Sequence, residues 1–354
     1  MSKFLTEKYK KLKPYTPGEQ PKEIKYVKLN TNESPFPPSK NAIRLACEEA
    51  EKLMLYSDPE CRSVGEILAK TYGVDYSNVI LTNGSDEVLN FAFMAYCDEN
   101  TPAIFPDITY GFYKVFADVN NLPYREIPLD NEFKINTDDY INARGTIFIA
   151  NPNAPTGIAL SVSAIEEIIK ADSERIVVID EAYVDFGAES CIPLTKKYDN
   201  LIVTGTFSKS RSMAGARLGF GIASSALIDD LTRIRYSTNP YNVNRMSAAA
   251  GVGALLDKEY FEDNCKKIIE NRAFTEKELA RLGFEFTESS ANFVFAKHNK
   301  LSGEKLYLAL KEKGVLVRHF TAPRIAEYNR ITVGSLEEMQ ILVDKIKEIL
   351  EENL

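Results

Sequence analysis

Lys209 stands in the run Thr206-Phe207-Ser208-Lys209-Ser210-Arg211-Ser212-Met213-Ala214-Gly215-Ala216-Arg217-Leu218-Gly219. Small hydroxyl residues flank it, and an arginine and glycines follow. A lysine at a strand end can meet a carbonyl compound and form a Schiff base. Thr206, Ser208 and Arg217 are the donors that a phosphate needs. The plainer alternative is a solvated basic loop whose lysine, serines and arginine all face water. This segment alone leaves both open.

Three further stretches carry complementary residue types. Asn83-Gly84-Ser85-Asp86-Glu87 follows the apolar Val79-Ile80-Leu81-Thr82 and leads into an apolar helix. A strand, a glycine turn and a helix N-terminus together offer free N–H groups and a dipole to an anion. An ordinary strand-to-helix turn capped by Ser85 would look the same. Asn151-Pro152-Asn153-Ala154-Pro155-Thr156-Gly157 is a loop imposed by its prolines and glycine. Asp180-Glu181-Ala182-Tyr183 ends the apolar run Arg175 to Ile179. In open parallel sheets ligands lie at the carboxyl ends of the strands, where all four loops are expected.

The residue types form one chemical set. A pyridine ring acts as an electron sink while its nitrogen is protonated, and a carboxylate such as Asp180 holds that proton. Tyr183 and Asn151 suit the ring's phenolic oxygen. Gly84, Ser85, Asp86, Thr206, Ser208 and Arg217 suit a phosphate, and Tyr110 can stack on the ring. Burial and cationic neighbours would lower the Lys209 pKa toward the neutral amine that attacks an aldehyde. Together these are the parts of a pyridoxal 5′-phosphate anchor.

Those loops need a scaffold. Apolar runs at 79–82, 103–106, 123–128, 146–150, 175–179, 201–204 and 220–223 alternate with helical stretches. The alternation predicts a mostly parallel sheet with helices on both faces. After residue 250 strands and helices lose that order, which predicts a smaller α+β unit. The expected division is a large cofactor-binding domain at 41–249, with the arm 1–40 and residues 250–354 forming the rest. Helices are expected over 41–55, 62–72 and 162–170, and one strand over 315–318. The proline-rich start reads as an extended arm that lies on something, a partner subunit being one candidate. Gly215, Gly219 and Gly221 do not make a dinucleotide fingerprint, because their spacing is wrong.

Composition excludes other classes. The chain has 354 residues, too many for one small core. Its net charge of −8 opposes non-specific nucleic-acid binding, and no basic stripe is present. No apolar run reaches membrane-spanning length, and Met1 to Lys13 is too polar for a signal peptide. Five scattered cysteines without a C-x-x-C pair read as reduced thiols of a cytoplasmic protein. With two histidines, a His-rich metal site or a Ser-His-Asp hydrolase is not expected.

The loop 151–157, the Asp180-Glu181-Ala182-Tyr183 run and Ser208-Lys209 with Arg217 resemble the signature set of the fold type I aminotransferases. The likeness covers almost the whole chain. Leu12-Lys13-Pro14-Tyr15, Pro17-Gly18-Glu19-Gln20-Pro21, Leu29-Asn30-Thr31-Asn32-Glu33-Ser34-Pro35, Tyr56-Ser57-Asp58-Pro59 and Arg330-Ile331-Thr332-Val333-Gly334 resemble the histidinol-phosphate branch of that family. The resemblance implies an aspartate aminotransferase-like α/β fold and a homodimer with shared active sites. It implies that Lys209 carries the cofactor and moves a proton, that Asp180 pairs with the ring nitrogen, and that Tyr183 and Asn151 bond the ring oxygen. Tyr110 would stack on the ring. Tyr56 would reach the phosphate, and Tyr15 the substrate, from the neighbouring subunit. Tyr15, Asn32, Arg318 and Arg330 are the substrate contacts it implies, for a small amino donor and a 2-oxo acid acceptor.

Ser210-Arg211-Ser212-Met213 departs from the apolar and aromatic residues associated with the family between lysine and arginine, which bears on the substrate. Aromatic amino-acid transamination and threonine-phosphate decarboxylation on the same scaffold stay open. So does a ligand-sensing module of a transcription regulator, although no DNA-binding helix pair is expected here.

Overall fold

The computed structural model describes residues 2–20 and 26–353. Pro21 of the arm motif lies outside the described residues. The strands are β1 (Val27–Lys28), β2 (Val79–Thr82), β3 (Ala103–Pro106), β4 (Tyr124–Ile127), β5 (Thr146–Ala150), β6 (Val177–Asp180), β7 (Leu201–Thr206), β8 (Gly219–Ala223), β9 (Phe284–Phe286), β10 (Phe293–His298), β11 (Val315–Leu316), β12 (Arg318–His319) and β13 (Asn329–Thr332).

Seven of them form one sheet in the order β2-β8-β7-β6-β5-β3-β4. Strand β8 runs antiparallel to both its neighbours, and the remaining pairs are parallel. Side chains alternate between two cores. Ile147, Ile149, Val177, Ile179, Leu201 and Val203 enter one, while Phe148, Val178 and Ile202 enter the other. Both faces are therefore apolar, which is why these segments read as continuous hydrophobic runs. Helices Lys40–Ala50, Arg62–Tyr72, Val162–Lys170 and Arg245–Leu256 cover the first face. Helices Ser85–Tyr96, Phe112–Asn120 and Ser225–Thr238 cover the second. Each fully buried Ile, Val or Phe contributes roughly 1.5–3 kcal/mol.

A second, antiparallel sheet has the order β12-β13-β10-β9 and packs under helices Lys258–Arg281, Gly303–Glu312 and Leu336–Asn353. The predicted strand 315–318 is two strands. Its first half, β11, pairs with β1 of the arm, and Arg318 then begins β12 beside β13. The arm thus forms a separate two-stranded sheet with β11 of its own chain, and beyond it the Leu29 carbonyl accepts from the Thr332 N–H of β13 at 2.9 Å, with Leu29 only 1 % exposed in the core under the small sheet.

The helix expected to reach residue 55 ends at Ala50. Beyond it, Leu53, Met54, Leu55 and Tyr56 lie on the surface instead of continuing the buried stripe. Apolar spacing alone cannot tell a helix facing its own core from a segment exposed on the single chain. No helix among the described residues is long and apolar enough to cross a membrane.

Candidate active site

The carboxyl ends of β5, β6 and β7, the arm and the small sheet enclose a cavity of about 540 Å³. Tyr15, Asn32, Ser85, Asp86, Tyr110, Asp180, Tyr183, Thr206, Ser208, Lys209, Arg217, Arg318 and Arg330 all line it. These come from six segments distant in sequence.

Lys209 follows β7, and its Nζ donates to the Thr31 carbonyl at 3.2 Å. The ammonium lies 5.8 Å from the centroid of the Tyr183 ring. Burial and the neighbouring Arg330 lower its pKa to about 8, against the opposing pull of Glu33 and Asp86. A substantial neutral fraction therefore exists in mildly alkaline solution, as attack on an aldehyde requires.

Asp180 ends β6 and is 5 % exposed. Its Oδ2 accepts from the Tyr113 hydroxyl at 3.4 Å, while the buried Oδ1 has no partner. Burial first, then the Asp86 charge, raises its pKa to about 7. A buried carboxylate oxygen without a partner is costly, and a cationic N–H in the cavity would satisfy it. This orphan atom fits the protonated pyridine nitrogen of pyridoxal phosphate.

A cluster of donors suited to an anion lies at the start of helix Ser85–Tyr96. Gly84 precedes it with φ 84°, a left-handed conformation that glycine adopts without strain. Asp86 in the first turn accepts from the Tyr110 hydroxyl at 2.7 Å and from Arg217 Nη2 at 2.9 Å. Arg217 Nη1 also donates to Ser208 Oγ at 3.4 Å, and Thr206 Oγ1 donates to the same oxygen at 3.0 Å. Helix N–H groups, hydroxyls and a guanidinium thus surround one small volume.

A methyl group added to Gly219, which opens β8, would lie 2.3 Å from the backbone of Gly84 and Ser85. Gly219→Ala should therefore displace this cup and lower stability by about 1–3 kcal/mol, read from denaturant unfolding. A variant as stable as the parent would show that the close approach is not required.

Arg318 and Arg330 face each other in register across β12 and β13. Arg330 donates to the Asn30 carbonyl at 3.2 Å, its buried Nε has no partner, and it lies 5.3 Å over Phe293. Arg318 donates to the carbonyls of Thr16 and Pro17 at 3.1 and 3.3 Å. Two adjacent guanidiniums whose partners are neutral carbonyls, not carboxylates, suit an incoming anion.

Several expectations are corrected. Asn151 does not line this cavity. Its Oδ1 accepts from the Leu160 N–H at 2.7 Å and its Nδ2 donates to the Leu160 carbonyl at 3.0 Å. The side chain faces a separate cavity, so it is not available to a ring oxygen here. From the same loop, Ala154 and Pro155 line the site. Tyr15 was expected from a neighbouring subunit, yet it enters the cavity of its own chain, packed 4.4 Å from Phe112. Arg318, on β12, holds the neighbouring carbonyls of Thr16 and Pro17 there. Tyr56 is a different case: its expected role concerns a neighbouring subunit, and in its own chain it lies outside the cavity. It is 78 % exposed and stacks on Tyr241 at 4.5 Å.

Ser210 to Met213 lie outside the cavity as well. Ser210 donates to Asp185, Ser212 Oγ to Ser34 Oγ, and Arg211 to the Ala254 carbonyl while stacking 4.0 Å over Phe261. This departure from the family pattern does not touch the cavity. Tyr113 was not anticipated. It is fully buried, and its only sequence signal is a position three residues beyond Tyr110, which any core aromatic could share.

The family described as aminotransferase class I and II matches residues 24–346. A histidinol-phosphate aminotransferase of Brachyspira hyodysenteriae is 48% identical over 352 residues, 99% of each chain. One of Clostridium acetobutylicum is 45% identical over 351 residues, 99% of this chain and 100% of its relative. The crystal structure of histidinol-phosphate aminotransferase from Sinorhizobium meliloti in complex with pyridoxal-5′-phosphate superimposes with a TM-score of 0.85. That pair shares 21% identity and covers 92% and 91% of the two chains, a likeness of fold.

Proposed function

The chain belongs to the class I and II aminotransferases, and from that membership we propose that it transfers the amino group of histidinol phosphate to 2-oxoglutarate, giving imidazole acetol phosphate and glutamate. The observation that carries the chemistry is Asp180 Oδ1. It is a buried carboxylate oxygen without a partner, in the cavity that also holds Lys209.

Pyridoxal 5′-phosphate, once bound, supplies the aldehyde carbon at which amines exchange and the ring that takes up electron density. Lys209 would tether the cofactor between turnovers and carry the proton to and from the substrate carbon, its lowered pKa suiting it to both. Asp180 keeps the ring nitrogen protonated, with Tyr113 behind it. Tyr183 would donate to the ring oxygen, and Tyr110, its hydroxyl tied to Asp86, would stack on the ring. Ser85 and Asp86 would offer N–H groups to the phosphate, joined by Thr206, Ser208 and Arg217, whereas the Gly84 N–H already donates to the Thr82 carbonyl at 2.9 Å. Arg330 and Arg318 take the anionic end of either substrate. Both reactants carry an anion remote from the reacting carbon, so one guanidinium pair serves both halves of the reaction in turn.

The reading extends to a cytoplasmic homodimer with shared sites, divided into a large domain at 41–249 and the arm with residues 250–354. Exposed Leu53, Met54, Leu55 and Tyr56 support the dimer, because an apolar surface segment of this kind favours a partner. Tyr56 would then reach the partner's phosphate.

A donor screen against 2-oxoglutarate tests the substrate. The expected result is a kcat/KM for histidinol phosphate more than about tenfold that for phenylalanine, because the guanidinium pair discriminates by a buried anion contact. A preference for phenylalanine would assign the aromatic reading, and release of carbon dioxide from phosphothreonine without an acceptor would assign a lyase.

A further inference from the structure

Tyr183 Oη accepts from Asn32 Nδ2 at 3.0 Å, and among the described residues no other hydrogen bond reaches it. The orientation of that amide is set from the other side. Thr332 Oγ1 accepts from the Asn32 N–H at 2.9 Å, and its hydroxyl donates to Asn32 Oδ1 at 3.0 Å. The Asn32 carbonyl in turn accepts from Asn292 Nδ2 at 3.0 Å. Asn32, Thr332 and Asn292 are each no more than 2 % exposed, so no water competes for these groups. Asn32 has φ 56°, a left-handed conformation that asparagine tolerates better than most residues.

Were the amide reversed, its oxygen would face Tyr183 and capture the phenolic hydrogen. The Thr332 hydroxyl hydrogen would then be buried without an acceptor, which costs roughly 1–3 kcal/mol. The threonine thus decides which way the asparagine points, and the asparagine decides which way the tyrosine donates.

We propose that Asn32 and Thr332 are positioning residues for Tyr183, obliging its single hydroxyl hydrogen to point into the cavity at the cofactor's ring oxygen. This rests on the function proposed above and moves Asn32 from the expected substrate contacts to the support of the tyrosine. Arg330 and Thr332 lie two residues apart on β13 and share a face of the small sheet. One strand therefore presents the substrate's guanidinium and orients the hydroxyl on the cofactor's side of the cavity. The charges nearest Tyr183 are Arg330, Lys209, Asp180 and Asp86. Burial raises the phenol's pKa against the pull of Arg330 and of the Asn32 bond, so the group stays a neutral donor.

Thr332→Val in the protein reconstituted with pyridoxal phosphate is the test. The proton shared between the Lys209 nitrogen and the ring oxygen is held more tightly once the competing phenolic donor turns away. The pH midpoint of the visible absorbance should therefore rise by about half to one unit, the worth of one hydrogen bond. Turnover should fall about 3- to 10-fold with little change in the KM of the amino donor. Thr332→Ser should restore both. Asn32→Asp keeps both Thr332 bonds, turns the Tyr183 hydrogen toward the new carboxylate and should raise the midpoint as well. It serves if Thr332→Val does not fold. A midpoint unchanged in the folded variants, or not restored by Thr332→Ser, overturns the relay and leaves the transaminase reading intact. A parent protein with no titrating visible band overturns both.

Discussion

Lys209→Ala protein is expected to fold, to show no absorbance from a lysine-tethered cofactor, and to lose at least about 10⁴-fold in turnover. The loss is large because one side chain serves as tether and as proton carrier, and nothing among the described residues that line the cavity is placed to replace it. Lys114 lines the same cavity, but it is paired with Glu126 at 2.7 Å. Stability should move the other way. The folded pKa of Lys209 is about 8, below its ordinary 10.5, so the buried cation weighs against folding in full below pH 8. That penalty fades as pH rises from about 8 to 10.5. The apoprotein of Lys209→Ala should therefore unfold no more easily than the parent at pH 7, with any advantage gone above pH 10. Thermal unfolding of both apoproteins across this range reads it directly. Turnover within tenfold of the parent would remove Lys209 from the mechanism.

Asp180→Asn separates function from stability more sharply. Turnover should fall by about 10³-fold or more, because a neutral amide does not hold the ring nitrogen in its protonated form. The apoprotein should show the opposite trend with pH. In the parent the folded pKa of Asp180 is about 7 and the ordinary value 3.8. Below pH 3.8 the group is neutral folded and unfolded, and it costs nothing. Between 3.8 and 7 the unfolded chain ionises first, so the parent loses stability. Above 7 the loss is complete, on the order of 4 kcal/mol as an upper bound. The asparagine variant does not pass through this loss. Its stability relative to the parent should climb from pH 4 to pH 7 and then level off. Glu181 is also raised to about 7 by burial, yet it is common to both proteins and cancels in the difference. With pyridoxal phosphate bound the trend should reverse, since a cationic ring nitrogen would satisfy Asp180 Oδ1. A pH-independent stability difference between the two apoproteins would show that Asp180 is not a strained carboxylate.

These two residues show how a site can carry a stability cost. Asp180 and Lys209 both sit where burial opposes their charged forms. Function commonly retains such groups against the interest of the fold. The Ala182 N–H and then the Tyr113 hydroxyl lessen the cost at Asp180 without removing it; Tyr113 reaches Oδ2 at 3.4 Å, and Oδ1 has no hydrogen-bond partner. At the start of helix Ser85–Tyr96, Arg217 and Asp86 neutralise one another. The pair is half-exposed, so it contributes little to stability, and its use is to hold Arg217 in place.

What could be read from the chain alone is what local chemistry dictates. The runs of β5, β6 and β7 are apolar without interruption because a parallel sheet covered on both faces leaves no polar side. The loops that follow them carry glycine, proline and hydroxyl residues because the backbone must turn there. Lys209, Asp180 and Tyr183 were legible as a set because each sits just beyond such a run. Only the folded chain decided which side chains of those loops face inward. Asn151 and Asn153 occupy one short loop, and the hydrogen bonds to Leu160 and to Ile108 turn both away from the cavity. Beside Tyr15, the carbonyls of Thr16 and Pro17 accept from Arg318, about 300 positions away, a pairing that no local sequence pattern carries. Thr332 and Asn32 stand 300 positions apart. Spacing along a chain reports neighbours within a turn or a strand. The direction of a buried hydrogen bond is set by which remote segment supplies the other partner, and that becomes defined only when the arm packs against β13.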